Sequence, residues 1–229
     1  MATKKIAIIT ARGGSKRIPK KNIKDFCGKP IIAYSIEAAL ESKLFDEVMV
    51  STDSEEIAEI ARTYGANVPF MRSEATANDF ATTNDVLVEV FTEYKKRGQN
   101  FDQAVCIYPT APFVTAKKLQ DAFEVMEAEG AEALTPVVRF SFPPQRGFLV
   151  KDGSLAYQFP EYATTRSQDL EPIYHDCGQF YLMTVDNVLN GKPANKCVPL
   201  IVSELEVQDI DNEEDWKLAE IKYQMMNKR

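Results

Sequence analysis

Apolar and polar positions along the chain alternate between two periods. Lys5–Ala11 is a nearly continuous apolar run that stops at Arg12-Gly13-Gly14, the pattern of a strand buried on both faces and entering a loop. Pro30 then opens a segment in which Ile31, Ile32, Tyr34, Ile36 and Leu40 recur at helical spacing. Glu47–Thr52 reads as a second strand. Asp53-Ser54-Glu55-Glu56 is a capping signature for a helix over 54–64, closed by Gly65. Val68–Met71 is expected as a short strand, and Thr82–Lys96 as a helix with Val86, Leu87, Val90 and Phe91 on its buried side. The pattern then repeats with a strand at Ala104–Tyr108, a helix over Thr115–Glu129 ended by Gly130, and a strand at Ala133–Val138.

Strands that alternate with helices of 10–15 residues predict an α/β fold with a doubly wound, mainly parallel sheet. From about 139 to 178 the rhythm breaks. Phe148-Leu149-Val150 and Ser154-Leu155-Ala156-Tyr157 flank Lys151-Asp152-Gly153, a hairpin with Asp-Gly in its turn and the mark of a small β-rich insertion. The sheet is expected to resume at Phe180–Met183, followed by a helix near 184–190 and a strand at Leu200–Val202. A last helix over about 212–226 puts Trp216, Leu218, Ala219, Ile221 and Tyr223 on its apolar side. The reading is one domain over 1–229 that carries an insertion at about 139–178.

Composition narrows the class. The 229 residues are 45% hydrophobic and 27% charged, which is ordinary for a soluble globular chain. No apolar run approaches the ~18 residues of a membrane span, and the apolar stretch after Met1–Lys5 is too short for a signal peptide. Cys27, Cys106, Cys177 and Cys197 lie 79, 71 and 20 residues apart, without metal-ligand spacing, so ordinary thiols of a cytoplasmic protein are expected. His175 is the one histidine, which excludes a multi-histidine metal site.

Charge changes the picture more. The net charge is −7, yet residues 1–30 hold nine Lys/Arg against one Asp, a net +8 that leaves −15 on the remainder. An acidic protein that gathers its cations near one strand end points to a polyanion held there, the alternative being a solvated basic face. Within that segment Arg12-Gly13-Gly14-Ser15-Lys16-Arg17-Ile18-Pro19-Lys20-Lys21-Asn22 combines two glycines, a hydroxyl and five cations in a strand-to-helix loop. Glycine-rich turns present backbone N–H groups to phosphate oxygens while Arg and Lys neutralise them. Neither the G-x-x-x-x-G-K-[ST] P-loop nor the G-x-G-x-x-G dinucleotide loop is present.

The strand followed by Ala11-Arg12-Gly13-Gly14-Ser15-Lys16-Arg17-Ile18-Pro19, then Lys21-Asn22 and Gly28-Lys29-Pro30, resembles the CMP-sialic acid synthetase family of sugar cytidylyltransferases. Three further segments in order carry the resemblance over nearly the whole chain. They are Val50-Ser51-Thr52-Asp53, Tyr108-Pro109-Thr110-Ala111-Pro112 (the family has Gln where Tyr108 stands) and Asp209-Ile210-Asp211. Thr164-Thr165-Arg166-Ser167-Gln168-Asp169-Leu170 and Tyr174-His175-Asp176-Cys177-Gly178 resemble the branch of the family that handles pseudaminic acid.

The resemblance implies a Rossmann-like, three-layer nucleotide-diphospho-sugar transferase fold whose insertion covers the sugar and mediates a homodimer. It implies a reaction of CTP with a nonulosonic acid, giving the CMP-sugar and pyrophosphate, with Mg²⁺ as cofactor and no nucleic acid or membrane as partner. It assigns Ala11, Arg12, Gly13, Gly14, Ser15, Lys16, Lys21, Asn22, Asp79, Thr82, Thr83, Tyr108, Pro109 and Thr110 to the nucleotide. Arg166, Gln168, Tyr174, His175 and Asp176 go to the sugar, and Asp209 and Asp211 to the metal; Arg12, Lys21 and the two aspartates carry the catalysis. Planar guanidinium suits a carboxylate, so Arg166 is the expected partner of the sugar acid, against a surface pair with Asp169. Asp209 and Asp211 lie among seven acids and no base from Glu204 to Asp215, so a solvated loop is the alternative there. Asp211 with Glu214 is an alternative capping box for the last helix. Competing functions are a CMP-N-acetylneuraminic or CMP-legionaminic acid synthetase, a D-x-D glycosyltransferase, and a nucleic-acid-binding module.

Overall fold

The computed structural model describes residues 3–227. Strand β1 (Lys5–Thr10) runs into the basic loop, then a short hairpin of β2 (Asp25–Phe26) and β3 (Lys29–Pro30), and helix α1 (Ile31–Ser42). Next come β4 (Glu47–Ser51), α2 (Glu55–Thr63), the single turn α3 (Glu74–Ala77), α4 (Thr83–Lys96), β5 (Gln103–Ile107), α5 (Ala116–Ala128) and β6 (Ala133–Arg139). The hairpin of β7 (Phe148–Lys151) and β8 (Ser154–Tyr157) precedes β9 (Tyr174–Asp176), β10 (Phe180–Thr184), α6 (Val185–Leu189), β11 (Cys197–Ile201) and α7 (Glu213–Asn227). Side-chain caps start α2, α4 and α5, the one at Ser54 as expected. Ser54 accepts from the Ile57 N–H, Thr115 from the Lys118 N–H, and Thr82 with Asp85 forms a reciprocal capping box.

The main sheet has the order β11-β6-β10-β5-β1-β4, with β9 beside the far half of β6. β1 is parallel to both β4 and β5, and β11 is parallel to β6. β10 enters antiparallel between β5 and β6, and β9 is antiparallel to β6. Successive residues of β1 feed opposite cores. Ala7 and Ile9 pack with Ile32, Ile57 and Leu119 of α1, α2 and α5, whereas Ile6 and Ile8 pack with Val86, Val90 and Phe91 of α4. That is the three-layer architecture the alternation of periods predicts.

A third cluster matters more for function. Ile18 of the basic loop and Ile210 of the acidic segment, each almost wholly buried, pack with Phe26, Ile31, Phe113 and Trp216. The two isoleucines tie charged segments from opposite ends of the chain to one spot.

Three local expectations are corrected. Val68–Met71 forms no strand. Asn67 alone bridges to Met49, and Pro69 has no N–H with which to extend a ladder. The final helix buries a narrower stripe than its sequence suggests: Trp216 and Ala219 are buried, while Leu218 (44%) and Ile221 (55%) are exposed. The cap of α7 is Asn212, which accepts from the Glu214 and Asp215 N–H groups, and Asp215 reciprocates to Asp211 and Asn212. Asp211 and Glu214 are therefore not the capping pair, and the Asp211 side chain is left to other partners. The 148–157 hairpin forms as expected, with both turn residues in the left-handed region, Asp152 at φ 50° and Gly153 at φ 74°.

Candidate functional site

Parallel strands bring their carboxyl ends to one edge, and the chain departs from β1 toward β4 on one side and β5 on the other. A crevice opens at such a reversal. Here it is a cavity of about 450 Å³ whose walls include Thr10 at the end of β1, Arg12 just after it, and Tyr108, Pro109 and Thr110 after β5. The loop after β4 supports its floor. The Gly13 N–H donates to Asp53 Oδ1 at 2.8 Å, and a Cβ on Gly13 would stand 3.1 Å from the Ser54 Cβ. Glycine is what lets the loop approach that turn. Gly14 faces open space.

The loop is braced from within. Ser15 donates to the Ile18 carbonyl at 2.7 Å, and buried Asn22 donates to the Arg12 carbonyl at 2.8 Å. Ala11 is fully buried and extends the strand through its N–H to the Ser51 carbonyl. Of the predicted nucleotide residues, Arg12, Ser15, Lys16, Lys21, Asn22, Asp79, Tyr108, Pro109 and Thr110 line the cavity. Thr82 and Thr83 line an adjoining cavity of about 260 Å³ that shares Thr10, Arg12 and Asp79.

Each cation of the loop already holds an oxygen. Arg12 pairs with Asp79 at 2.6 Å, Lys16 with the other oxygen of Asp79, Arg17 with Asp211 at 2.7 Å and Lys20 with Glu56 at 2.6 Å. Lys21 donates to the Ile210 carbonyl at 2.7 Å. Hydrogen bonds from Lys16 and Arg12 hold the Asp79 carboxyl below the usual carboxylate range. Burial pulls the Lys21 ammonium down, opposed by the charges of Asp211 and Asp209, with Arg17 and Arg12 adding to the lowering. Exposed pairs of this kind contribute only about 0–1 kcal/mol each, so a phosphate can replace them at little cost.

Asp209 and Asp211 flank the buried Ile210. Asp211 faces Arg17, and Asp209 lines a second cavity of about 450 Å³ with His175, Asp176, Cys177, Gly178 and Lys222. Among the described residues no group of three or more His, Cys, Asp or Glu is arranged around a common metal position. The D-x-D offers two hard oxygen donors, which suits a divalent cation that shares its shell with phosphate and water and would not suffice for a closed protein cage.

The predicted sugar residues are less well gathered. His175 and Asp176 line the cavity with Asp209, and the His175 ring lies 4.6 Å from that of Phe140. Gln168 lines a third cavity of about 510 Å³ with Arg139 and Phe140. Tyr174 pairs in register with Arg139 and is 39% exposed. Arg166 pairs with Asp169 at 3.0 Å on the surface and is absent from the walls of these cavities.

Two residues escape the sequence reading. Arg72 is buried beside the cavity lined by Thr82 and Thr83, its Nε and Nη2 donating to the Oγ and carbonyl of Ser51 at 3.1 and 2.7 Å. A lone cation ending the run Val68-Pro69-Phe70-Met71 is its signal. Tyr181, from β10, donates to both oxygens of Asp176 at 2.9 Å. As a tyrosine in an apolar strand it gives no signal.

Comparison with known proteins places this geometry. The cytidylyltransferase family model matches residues 6–169. The pseudaminic acid cytidylyltransferase of Campylobacter jejuni is 40% identical over 227 residues, covering 97% of each chain. The CMP-N,N'-diacetyllegionaminic acid synthase of Legionella pneumophila is 34% identical, covering 94% of each. A solved CMP:2-keto-3-deoxy-manno-octonic acid synthetase complexed with CTP superposes with a TM-score of 0.70 at 18% identity, covering 99% of this chain and 100% of that one, and shares the fold. Among the described residues no helix is long and apolar enough to cross a membrane.

Proposed function

We propose that this chain, which belongs to the cytidylyltransferase family and is a nucleotidyltransferase, joins CTP to pseudaminic acid and releases pyrophosphate. The observation that carries the reading is that the basic loop and the 108–110 loop line one crevice, and that the D-x-D is tied to the rim of it by the Arg17–Asp211 pair, the Lys21 hydrogen bond to the Ile210 carbonyl and the cluster that buries Ile18 with Ile210. Likeness to the Campylobacter jejuni relative along nearly the whole chain supports the choice of sugar.

In this reading the anomeric hydroxyl of the sugar attacks the α-phosphorus and loses its proton to solvent, the bond from Pα to the bridging oxygen breaks, and pyrophosphate leaves in line. Arg12, Lys16 and Lys21 take the triphosphate, and Arg12 and Lys16 exchange Asp79 for phosphate oxygens. Gly13 and Gly14 keep the backbone close to the anion, while Asn22 and Ser15 hold the loop that presents it. Cytosine lies between Tyr108–Thr110 and the Asp79–Thr83 segment, with Arg72 beneath. Asp209 and Asp211 would hold Mg²⁺, which when bound would supply charge neutralisation on the phosphates and acidity at the attacking hydroxyl. Positioning and charge neutralisation are the main contributions, and no side chain stands out as an obligatory general base.

The sugar sits beside Asp209, against His175 and Asp176, with Gln168 and Tyr174 at its outer edge. Arg166 reaches its carboxylate only by giving up Asp169. The insertion at 139–178 covers the sugar and joins two copies. Its hairpin supports this, with Phe148 (52%), Val150 (74%) and Leu155 (69%) exposed on a detached two-stranded sheet. The reaction belongs in the cytoplasm, where CTP is at hand.

The test is competition between pseudaminic and N-acetylneuraminic acids at equal concentration with CTP and Mg²⁺, read as the ratio of kcat/KM. A pocket whose polar groups match one sugar leaves them unpaired with the other, which costs up to about four or five orders of magnitude. Strong preference for pseudaminic acid is expected. Preference for the other sugar overturns the substrate, and no pyrophosphate from any nonulosonic acid overturns the reaction.

A further inference from the structure

The chain kinks between β9 and β10. β9 pairs with β6 as far as Asp176, the Cys177 N–H still reaches the Pro136 carbonyl at 3.1 Å, and Gly178 then turns in the left-handed region at φ 61°. β10 resumes at Phe180 against Ile107 of β5. Across this kink Tyr181 reaches back five residues, its hydroxyl 2.9 Å from each oxygen of Asp176, while the Gly178 N–H donates to Oδ1 at 2.6 Å. The Asp176 carboxylate is thus fixed from two sides, though the residue is exposed and lines the cavity that holds Asp209.

Tyr181 is itself fixed. Its ring packs edge-on to Tyr108, with centroids 5.5 Å apart, and Tyr108 is stapled by its N–H to the Gln179 carbonyl and by its own carbonyl to the Ser35 hydroxyl, each at 2.8 Å. Tyr108 forms a wall of the nucleotide cavity. Burial, then the hydrogen bond to Asp176, push the Tyr181 hydroxyl far up its range, so it remains a donor. An ionised carboxylate has about four acceptor positions. The Tyr181 hydroxyl and one N–H leave capacity for a donor arriving from the cavity.

We propose that Tyr181 is a positioning residue of the sugar site, holding the Asp176 carboxylate as the acceptor for an N–H or O–H donor of the sugar. The inference rests on the reading of the Asp209 cavity as the sugar site and adds to it a residue that acts only through Asp176. A tyrosine that merely stabilised the kink would, when altered, change stability and both substrates together.

Kinetics of Tyr181→Phe, Asp176→Asn and the double variant, with CTP and pseudaminic acid varied separately, decide it. Tyr181→Phe keeps the ring and is expected to raise the KM for the sugar about tenfold, the effect of one lost orienting hydrogen bond to a charged group. The KM for CTP and kcat stay near wild type. The double variant is expected to be no worse than Asp176→Asn alone, because the hydroxyl has nothing left to position. Asp176→Glu keeps the charge but moves it off the hydroxyl, and is expected to match Tyr181→Phe. Additive penalties, a KM for CTP that rises in step with that of the sugar, or a Tyr181→Phe or Asp176→Glu enzyme with unchanged sugar KM would each overturn the proposal. Wild-type enzyme that turns over no nonulosonic acid would instead remove the functional reading, and this inference with it.

Discussion

The regions proposed to hold the nucleotide and the sugar are built by different means. Around the basic loop, each charged side chain hangs from a buried anchor: Arg12 follows the buried end of β1, Lys21 lies three residues from Ile18, and Asp209 and Asp211 straddle Ile210. The sugar region has few such anchors. Tyr174, His175 and Asp176 lie on an exposed three-residue strand, and the β7–β8 hairpin is detached from the main sheet. A site for a highly charged ligand needs its charges held in advance, since reorganising them is what makes electrostatic stabilisation weak. A site for a sugar acid with a single carboxylate can be completed by a cover that arrives with the ligand or with a second subunit.

The largest test falls on the anchored region. Asp209→Asn and Asp211→Asn are each expected to abolish metal-dependent pyrophosphate release while circular dichroism and the melting temperature stay near wild type. An amide preserves shape but removes the charge a divalent cation needs. Wild-type turnover and metal response in both variants would reduce the segment to a solvated acidic loop.

Next in size is Arg12→Ala, expected to lower kcat/KM by roughly 2–4 kcal/mol in transition-state terms, as for loss of one charge-stabilising donor. Arg166→Ala sharpens the contrast. If its pair with Asp169 is all it does, activity stays within about twofold, as expected for an exposed pair. A loss comparable to that of Arg12 would show that Arg166 leaves the surface to meet the sugar.

The smallest expected effect on nucleotide binding is at the hairpin. Val150→Asp with Leu155→Asp should leave CTP binding by calorimetry unchanged while shifting the sedimentation coefficient from dimer to monomer. A wild-type chain that sediments as a monomer would sink the dimer reading, and the sugar region would then have to be complete in one chain.

Much of the framework is legible locally. The strand ending at Arg12-Gly13-Gly14, the caps at Ser54, Thr82 and Thr115, and the Asp152-Gly153 turn all depend on residues a few positions apart, which a linear reading sees directly. The accumulation of cations after β1 is likewise plain in the order of residues. Val68–Met71 is the instructive exception, where an apolar run has the composition of a strand but Pro69 cannot donate to the ladder.

Long-range pairings are of another kind. Nothing near Phe180 sets the direction in which β10 inserts, because an apolar run fits either direction, and the neighbours β5 and β6 decide it. Arg72 looks like a surface cation until Ser51 takes two of its donors, and Tyr181 looks like core until its hydroxyl meets Asp176. The sequence alone determined the layered architecture and the place where the cations gather, through periodicity, capping and local charge. Tertiary structure alone decided that the acidic segment meets the basic loop, because burying Ile18 and Ile210 in one cluster removes apolar surface from water that neither segment can bury by itself.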